Sequence, residues 1–181
     1  GYVFGCSVPE PEVPLFGMFA KAPVQRGQSE AIGLIYNIAI EDDPFVRQMV
    51  ATPNLSETYI QDQRQNRQVP IEVSVLAVGY RNGNKYIHAL PPQPPITLDR
   101  ISACSNAEVC DFTERLDYLR LILNAPDAHA DELIAAAILC AAECRPVEER
   151  ERFLKEAGRE LAKLLSRDLA RLENLLRRIR P

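Results

Sequence analysis

The sequence predicts an α+β protein, with a small N-terminal antiparallel β-barrel over residues 1–98 and a three-helix C-terminal region over residues 99–181 that ends in a long helix. Three observations indicate this fold class. Apolar residues alternate with a period of two in the N-terminal half, as in strands. The stretch "LPPQPPITL" at residues 90–98 contains four prolines, which favour an extended spacer. After this spacer the apolar period becomes helical.

The clearest strand pattern is "AIGLIYNIAI" at residues 31–40. One parity of this stretch is large and apolar and the other is mostly small or polar, which predicts one face packed inward. The predicted inward residues are Ile32, Leu34, Tyr36, Ile38 and Ile40. Two further strands are predicted near residues 2–8 and 15–21.

A hairpin is predicted in "IEVSVLAVGYRNGNKYIHAL", where Asn82-Gly83 joins two apolar strands and suits a type I′ turn. Short antiparallel strands at this spacing predict a small closed barrel. The connection between the two strand systems includes a short helix candidate, Pro44 to Ala51, because proline is favoured in a first helical turn. The rest of that connection is predicted to be a polar excursion.

Three helices are predicted after the spacer. The first opens at Asp111 and Glu114, whose spacing resembles a capping box, and continues through "FTERLDYLRLILN". The second, "DAHADELIAAAILCAAEC", is apolar nearly all round, so we expect it to be buried. The third begins at Pro146 and runs to Arg180.

The third helix has a seam with alternating spacings of four and three, which is typical of a coiled coil. Its positions are Leu154, Gly158, Leu161, Leu165, Asp168, Leu172, Leu175 and Ile179. An uninterrupted helix of this length spans roughly 50 Å, at 1.5 Å per residue. No small barrel covers that length, so the helix is expected to pair with another helix, in this chain or in a second one. The side chains predicted to mediate an interaction are Leu161, Leu165, Leu172, Arg171, Arg177 and Arg178.

The charge distribution indicates the kind of partner, and the cysteine content indicates the redox state of the thiols. The net charge of −4 divides into an acidic body, −8 over residues 1–144, and a basic tail, +4 over residues 145–181. Such a tail suits an acidic partner, nucleic acid included, or the chain's own body. The five cysteines are an odd set, which favours reduced thiols. No signal peptide and no apolar run of membrane-spanning length is recognisable, so we expect a cytoplasmic protein without a membrane partner.

Motifs for catalysis and cofactor binding are missing from the sequence. Neither GxxxxGK[ST] nor GxGxxG occurs, so no nucleotide site is predicted. Four cysteines could in principle hold zinc, but they lack the compact CxxC spacing, and buried structural thiols are favoured. They are Cys104, Cys110, Cys140 and Cys144. His88 is expected to be a hydrogen-bonded structural residue, and His129 to be a capping or surface residue. We therefore predict no catalytic residue, no cofactor, no metal and no enzyme activity.

The residues 2–110 resemble a HAS barrel, the domain shared by HerA-type ATPases and ATP synthase. The resemblance lies in the strand order, in the glycine-containing turn before "AIGLIYNI" and in the exit "LPPQPPITLDRISACS". It implies a barrel that assembles a hexameric ring or docks a nuclease and performs no chemistry itself. Where the family continues into a P-loop ATPase, this chain continues into helices, so ATPase activity does not carry over.

The leading hypothesis is therefore a non-enzymatic interaction module, a HAS-like barrel whose partner is itself, a HerA-type ring ATPase or the nuclease of such a motor. The first alternative is a nucleic-acid-binding accessory protein that uses the basic C-terminal helix. The second alternative is an enzyme with a site in the barrel mouth, formed by residues such as Tyr36, Glu41, Asp42 and His88.

Overall fold

The computed structural model describes residues 1–6, 14–40, 71–95, 100–126 and 128–180, and shows an α+β fold. The strands are β1 (Tyr2–Cys6), β2 (Phe19–Val24), β3 (Ser29–Ile40), β4 (Ile71–Asn82), β5 (Lys85–Ile87) and β6 (Ser102–Ala103). A 3-10 turn at Gln25–Gly27 joins β2 to β3. The helices are α1 (Asn106–Phe112), α2 (Leu119–Leu123), α3 (Ala130–Glu143), α4 (Val147–Leu164) and α5 (Leu169–Arg178).

The strands form one antiparallel sheet in the order β1-β4-β3-β2-β6, and β5 pairs with the C-terminal end of β4. The sheet curls into half a barrel. Among the described strands β1 and β6 end the path and do not pair with each other. The predicted β architecture is thus confirmed in its antiparallel, curled form, whereas closure of the barrel is not seen in the described residues.

The hairpin between β4 and β5 is present, but its turn differs from the predicted one. Asn82 pairs with Lys85, so the two loop residues are Gly83 and Asn84. Gly83 has a φ of +59°, and Asn84 does not share that left-handed conformation. A positive φ at the first loop residue alone is the pattern of type II′, in which glycine is favoured at that position. The register places the glycine one position earlier in the loop than type I′ requires.

Strand β3 is buried on both faces along its first half, which corrects the expectation of one inward parity. Ile32 and Leu34 pack in a cluster shared with the helices, whereas Ile35 belongs to a second cluster on the opposite face. Because the sheet lies between two apolar clusters, both parities of its central strand carry buried residues.

A β-bulge at Tyr36 reverses the predicted orientation of the residues after it. The ladder register passes from Ile35 to Asn37 and skips Tyr36. Tyr36 packs with the helix-side cluster, but Ile38 packs with Ile35 on the opposite face. One inserted residue shifts the parity of the rest of the strand, so the prediction that Ile38 shares a face with Tyr36 is wrong. The side chain of Ile40 lies outside the described part of the chain.

The helical region contains five described helices instead of the three predicted. Its first capping box is at Ser105 and Glu108, where the Glu108 N–H donates to Ser105 Oγ (3.3 Å) and the Ser105 N–H donates to Glu108 Oε2 (2.8 Å). The predicted box at Asp111 is wrong, because Asp111 already lies inside α1. The spacing of a capping box instead occurs at Ser105 and Glu108, six residues before the predicted position.

Helix α3 is the centre of the helical region, as its all-round apolar sequence predicted. It contacts α1, α2, α4, α5 and the sheet strand β3. Seven of its residues are buried: Leu133, Ile134, Ala135, Ala137, Ile138, Ala141 and Ala142. Gly17, before β2, allows the close approach of α3, since a Cβ there would lie 2.4 Å from Ala136 Cβ.

The single long C-terminal helix predicted from Pro146 to Arg180 is wrong, because the chain breaks it between Leu164 and Leu169. Asp168 caps the second piece by accepting the Arg171 N–H at Oδ1 (3.1 Å). Aspartate competes for local backbone donors in this way, which favours a helix start over a continued helix. The break lets both α4 and α5 fold back on α3.

The division at residue 98 stays a prediction, and the sheet and the helices on either side of it share one apolar cluster. Strand β6 lies beyond residue 98 and pairs with β2, and this cluster contains both Phe19 of the sheet and Leu161 of α4. The predicted short helix at residues 44–51 lies outside the described residues.

No described helix combines the length and the apolar character needed to cross a membrane.

Candidate functional site

The leucines predicted for partner binding lie against the chain's own core. Leu161 is fully buried and Leu165 is 6% exposed, while Leu172 is half-buried against the same cluster. In this fold α4 and α5 present their seam to α3. The tail therefore packs on its own chain, and a role of these leucines in binding a partner stays a prediction.

Two of the three predicted arginines attach α5 to the first turn of α3. Arg171 donates to Asp131 Oδ1 through Nη2 and Nε, both at 2.7 Å, and Arg178 pairs with Glu132. The hydrogen bond with Asp131 raises the pKa of Arg171, and the hydrogen bond from Arg178 lowers the pKa of Glu132. Arg177 lies 3.7 Å from Glu173 at the surface. A phosphate ligand would compete with these carboxylates for Arg171 and Arg178.

A second charged cluster attaches α1 to the sheet. Lys21 of β2 pairs with Glu108 of α1, and Arg81 of β4 pairs with Glu30 of β3. Arg81 Nη1 also lies 3.9 Å from Glu108 Oε1, which joins the two pairs. These ion pairs hold the N-terminus of α1 against the sheet. Glu108 lies in the first turn of α1, where a negative charge interacts favourably with the helix dipole.

A groove of about 650 Å³ lies between the β4–β5 hairpin and the residues from the end of α1 to α2. Its lining combines aromatic and charged side chains from both elements, including Tyr86, His88, Phe112, Glu114, Arg115 and Asp117. Such a concave surface with convergent polar groups is the usual form of a binding site.

His88 is fixed in this groove by aromatic packing and one hydrogen bond. Its ring packs edge-on against Phe112 (centroids 4.6 Å apart) and Tyr118 (5.6 Å). Its Nε2 donates to the Phe112 carbonyl oxygen (2.9 Å), and its Nδ1 lies 3.9 Å from Asp117 Oδ2. Burial lowers the pKa of His88, against the opposing effect of the Phe112 carbonyl. The prediction of a hydrogen-bonded structural histidine is therefore confirmed at Nε2.

The sequence did not indicate that Asp117 and Tyr118 lie beside His88. His88 lies about thirty positions before the adjacent Asp117 and Tyr118, and neither "LDYLR" nor "KYIHAL" carries a motif that relates them. Of the residues predicted for a barrel-mouth enzyme site, Tyr36 packs in the helix-side cluster, and Glu41 and Asp42 lie outside the described residues. The other histidine, His129, is exposed at the N-cap of α3, where its side chain makes no capping hydrogen bond.

The four thiols with described side chains are partly buried. Burial raises the pKa of Cys104 to about 12 and that of Cys140 to about 11, and it also raises the pKa of Cys144. Cys110 donates its S–H to the Cys144 carbonyl oxygen at 3.4 Å. The four cysteines with described side chains are not in disulfides, and the described residues contain no cluster of three or more metal-ligating side chains.

No family model, curated protein or solved structure matches the chain, so the resemblance to the HAS barrel stays a prediction.

Proposed function

We propose that the chain is a non-catalytic protein-interaction module that binds its partner along the edge of strand β1 that faces away from β4. One observation carries this proposal. β1 pairs with β4 on one side, and in the described part of the chain no strand pairs with its other side. A partner strand added there would gain a ladder of backbone hydrogen bonds, as in other cases of strand addition.

The side chains of β1 favour such an addition. Val3 is 58% exposed and Gly5 is also exposed, whereas Tyr2 and Phe4 pack against the apolar cluster on the opposite face. The described edge strand carries none of the lysines or prolines with which natural sheets usually protect an exposed edge. An apolar residue at this edge would pack against a residue of the incoming strand.

The kind of partner follows from the resemblance to the HAS barrel. That family assembles into a ring or docks a nuclease through its barrel, and here the sheet is followed by helices where the family has a motor. We therefore propose a HerA-type ring ATPase or its nuclease as the protein that supplies the incoming strand. The charged side chains of the two clusters described above form ion pairs with each other within the chain. The proposed principal contact with a partner is therefore the backbone edge of β1.

The experiment is a pull-down of the tagged chain from its native cells, with mass spectrometry of the recovered proteins. Val3→Lys places a charge on the edge strand, so we expect recovery of the ATPase or nuclease to fall at least about tenfold. Val147→Lys is the matched control, because Val147 is 73% exposed on α4 and lies outside the sheet. Equal recovery with both variants, or recovery of no partner by the unmodified chain, would overturn the proposal.

A further inference from the structure

The groove beside His88 brings together two acceptors that can share one donor. The Phe112 carbonyl oxygen only accepts hydrogen bonds, so His88 Nε2 must carry the proton that it donates. In the neutral ring Nδ1 is therefore an acceptor with a lone pair. The Asp117 Oδ2 atom, a second acceptor, lies 3.9 Å from it. Two acceptors cannot bond to each other, and this distance leaves space for a donor that contacts both.

We propose that this groove binds a primary ammonium group, which donates one N–H to His88 Nδ1 and a second N–H to Asp117. A nitrogen at the usual distance of about 2.9 Å from each acceptor fits between atoms that are 3.9 Å apart. An ammonium carries three donors and one positive charge, so it satisfies both acceptors and neutralises the carboxylate.

The acceptor on His88 is fixed before any ligand arrives. The His88 side chain is only 8% exposed, and it packs against the rings of Phe112 and Tyr118. In the described part of the chain Nδ1 has no hydrogen-bond donor within reach, although it belongs to a side chain that lines the groove. Nδ1 itself is open to the groove, because among the described residues the buried side-chain atoms without a partner are only Tyr2 Oη and Tyr118 Oη, so an incoming N–H replaces water at this acceptor.

The other charges of the groove fit a cation. Asp111, Glu114 and Asp117 outnumber Arg115 and Arg120 among the lining residues. Arg115 pairs with Asp117 Oδ2 at 2.7 Å, but the Arg115 side chain is 79% exposed. An exposed pair of this kind contributes little to stability, so a ligand displaces Arg115 at low cost.

Two sources present this chemistry, a lysine side chain of a protein and a free polyamine. The test uses the full chain with ¹⁵N-labelled histidine, titrated by NMR at pH 7.5 with Nα-acetyl-lysine methylamide and, separately, with spermidine. We expect the His88 ring nitrogen signals to shift while those of exposed His129 stay unchanged. A response to the lysine compound alone identifies a protein side chain, and a response only to spermidine identifies a polyamine.

The decisive control is the trimethylated lysine compound, which has the same charge but no N–H donor. We expect it to bind at least about tenfold more weakly than the unmethylated compound, because it makes neither hydrogen bond. Equal affinity of the two compounds, or no shift of His88 with either amine, would overturn the proposal.

Three variants separate the proposed contacts from general electrostatics. Asp117→Asn should weaken amine binding about tenfold or more, whereas Glu114→Gln, which removes the same charge from the groove lining, should weaken it much less. Arg115→Gln should strengthen binding, because it removes both the competing donor and a like charge. Equal weakening by Asp117→Asn and Glu114→Gln would show attraction to net charge alone and would contradict the proposed geometry.

Discussion

The guanidinium of Arg145 lies over the ring of Phe153, with its central carbon 3.8 Å from the ring centre. The same guanidinium donates to the Ala141 carbonyl oxygen at 2.6 Å and to Thr113 Oγ1 at 2.8 Å. A longer contact of 3.4 Å reaches the Cys110 carbonyl oxygen. Arg145 thus joins the C-terminal ends of α1 and α3 to the first turns of α4. Cations are favoured at helix C-termini, where the last carbonyls lack backbone donors.

We expect Arg145→Met to lower the free energy of unfolding by about 1–3 kcal/mol, because it keeps the contact with Phe153 but removes the donors to partly buried acceptors. Urea denaturation followed by circular dichroism measures this loss. The control is Arg152→Met, since the Arg152 side chain is 83% exposed and, among the described residues, pairs only with Glu156. A loss of equal size in both variants would mean that the contacts of Arg145 contribute no more than a surface ion pair.

The elements that the sequence predicted well are those with local signals. The β4–β5 hairpin was recognisable because Gly83 lies between two apolar strands, and α3 because its apolar residues surround the helix. Both signals act within a few residues, so they do not depend on how the rest of the chain folds.

The features that the sequence did not predict depend on contacts between distant segments. The bulge at Tyr36 is visible only from the register of β3 against β4, because the alternation in the sequence continues through it. The break before Asp168 has a local signal in the capping aspartate, but the packing of both α4 and α5 on α3 also favours it. The approach of His88 Nδ1 to Asp117 Oδ2, 3.9 Å apart, needs the hairpin and the α1–α2 connection to be brought together. The periodicity of apolar residues along the sequence does not show which distant segments contact each other.

A core substitution tests whether the C-terminal helices pack on their own chain. Leu161 is fully buried, so we expect Leu161→Ala to lower the free energy of unfolding by about 2–5 kcal/mol. Leu169→Ala removes the same atoms from a side chain that is 70% exposed, and it should change stability little. Urea denaturation measures both variants, and size-exclusion chromatography with light scattering follows their association state. Unchanged stability together with lost self-association in Leu161→Ala would show instead that the seam faces a second chain.

The capping box of α1 is tested by Ser105→Ala. This substitution removes the oxygen that accepts the Glu108 N–H, and we expect a loss of about 1 kcal/mol. Ser166→Ala is the matched control, because Ser166 is exposed in the turn between α4 and α5. The thermal midpoint and the urea midpoint should both fall for Ser105→Ala only. Equal midpoints for the two variants would contradict the capping role.

The thiols should react slowly in the folded chain. Burial raises the pKa of Cys104 from 9.0 to about 12 and that of Cys140 from 9.0 to about 11, so few of these thiols are ionised at pH 8. Because the thiolate is the nucleophile, iodoacetamide should label Cys140 at least about tenfold more slowly in the folded chain than in urea. Peptide mapping by mass spectrometry measures each cysteine separately. Equal labelling rates in the folded and unfolded chain would show that these thiols are ionised and accessible.

The lowered pKa of His88 makes stability depend on pH in a defined direction. Burial of the ring is the main cause, and it acts against the Phe112 carbonyl and Asp117, while Arg115 adds to it. The unfolded chain, with an ordinary histidine pKa near 6.5, therefore takes up a proton at a higher pH than the folded chain does. The contribution of His88 to stability is complete above about pH 6.5 and falls as the pH drops through the folded-state pKa.

We expect the free energy of unfolding to decrease from pH 7.5 to pH 5 in the unmodified chain, and His88→Phe to remove part of that decrease. Phenylalanine keeps an aromatic ring between Phe112 and Tyr118 but cannot be protonated. His129→Gln is the control, because it removes the other histidine, whose side chain is exposed. Urea denaturation at a series of pH values gives the slopes. Equal slopes for His88→Phe and the unmodified chain would mean that other groups set the pH dependence, and that the folded state does not oppose protonation of His88.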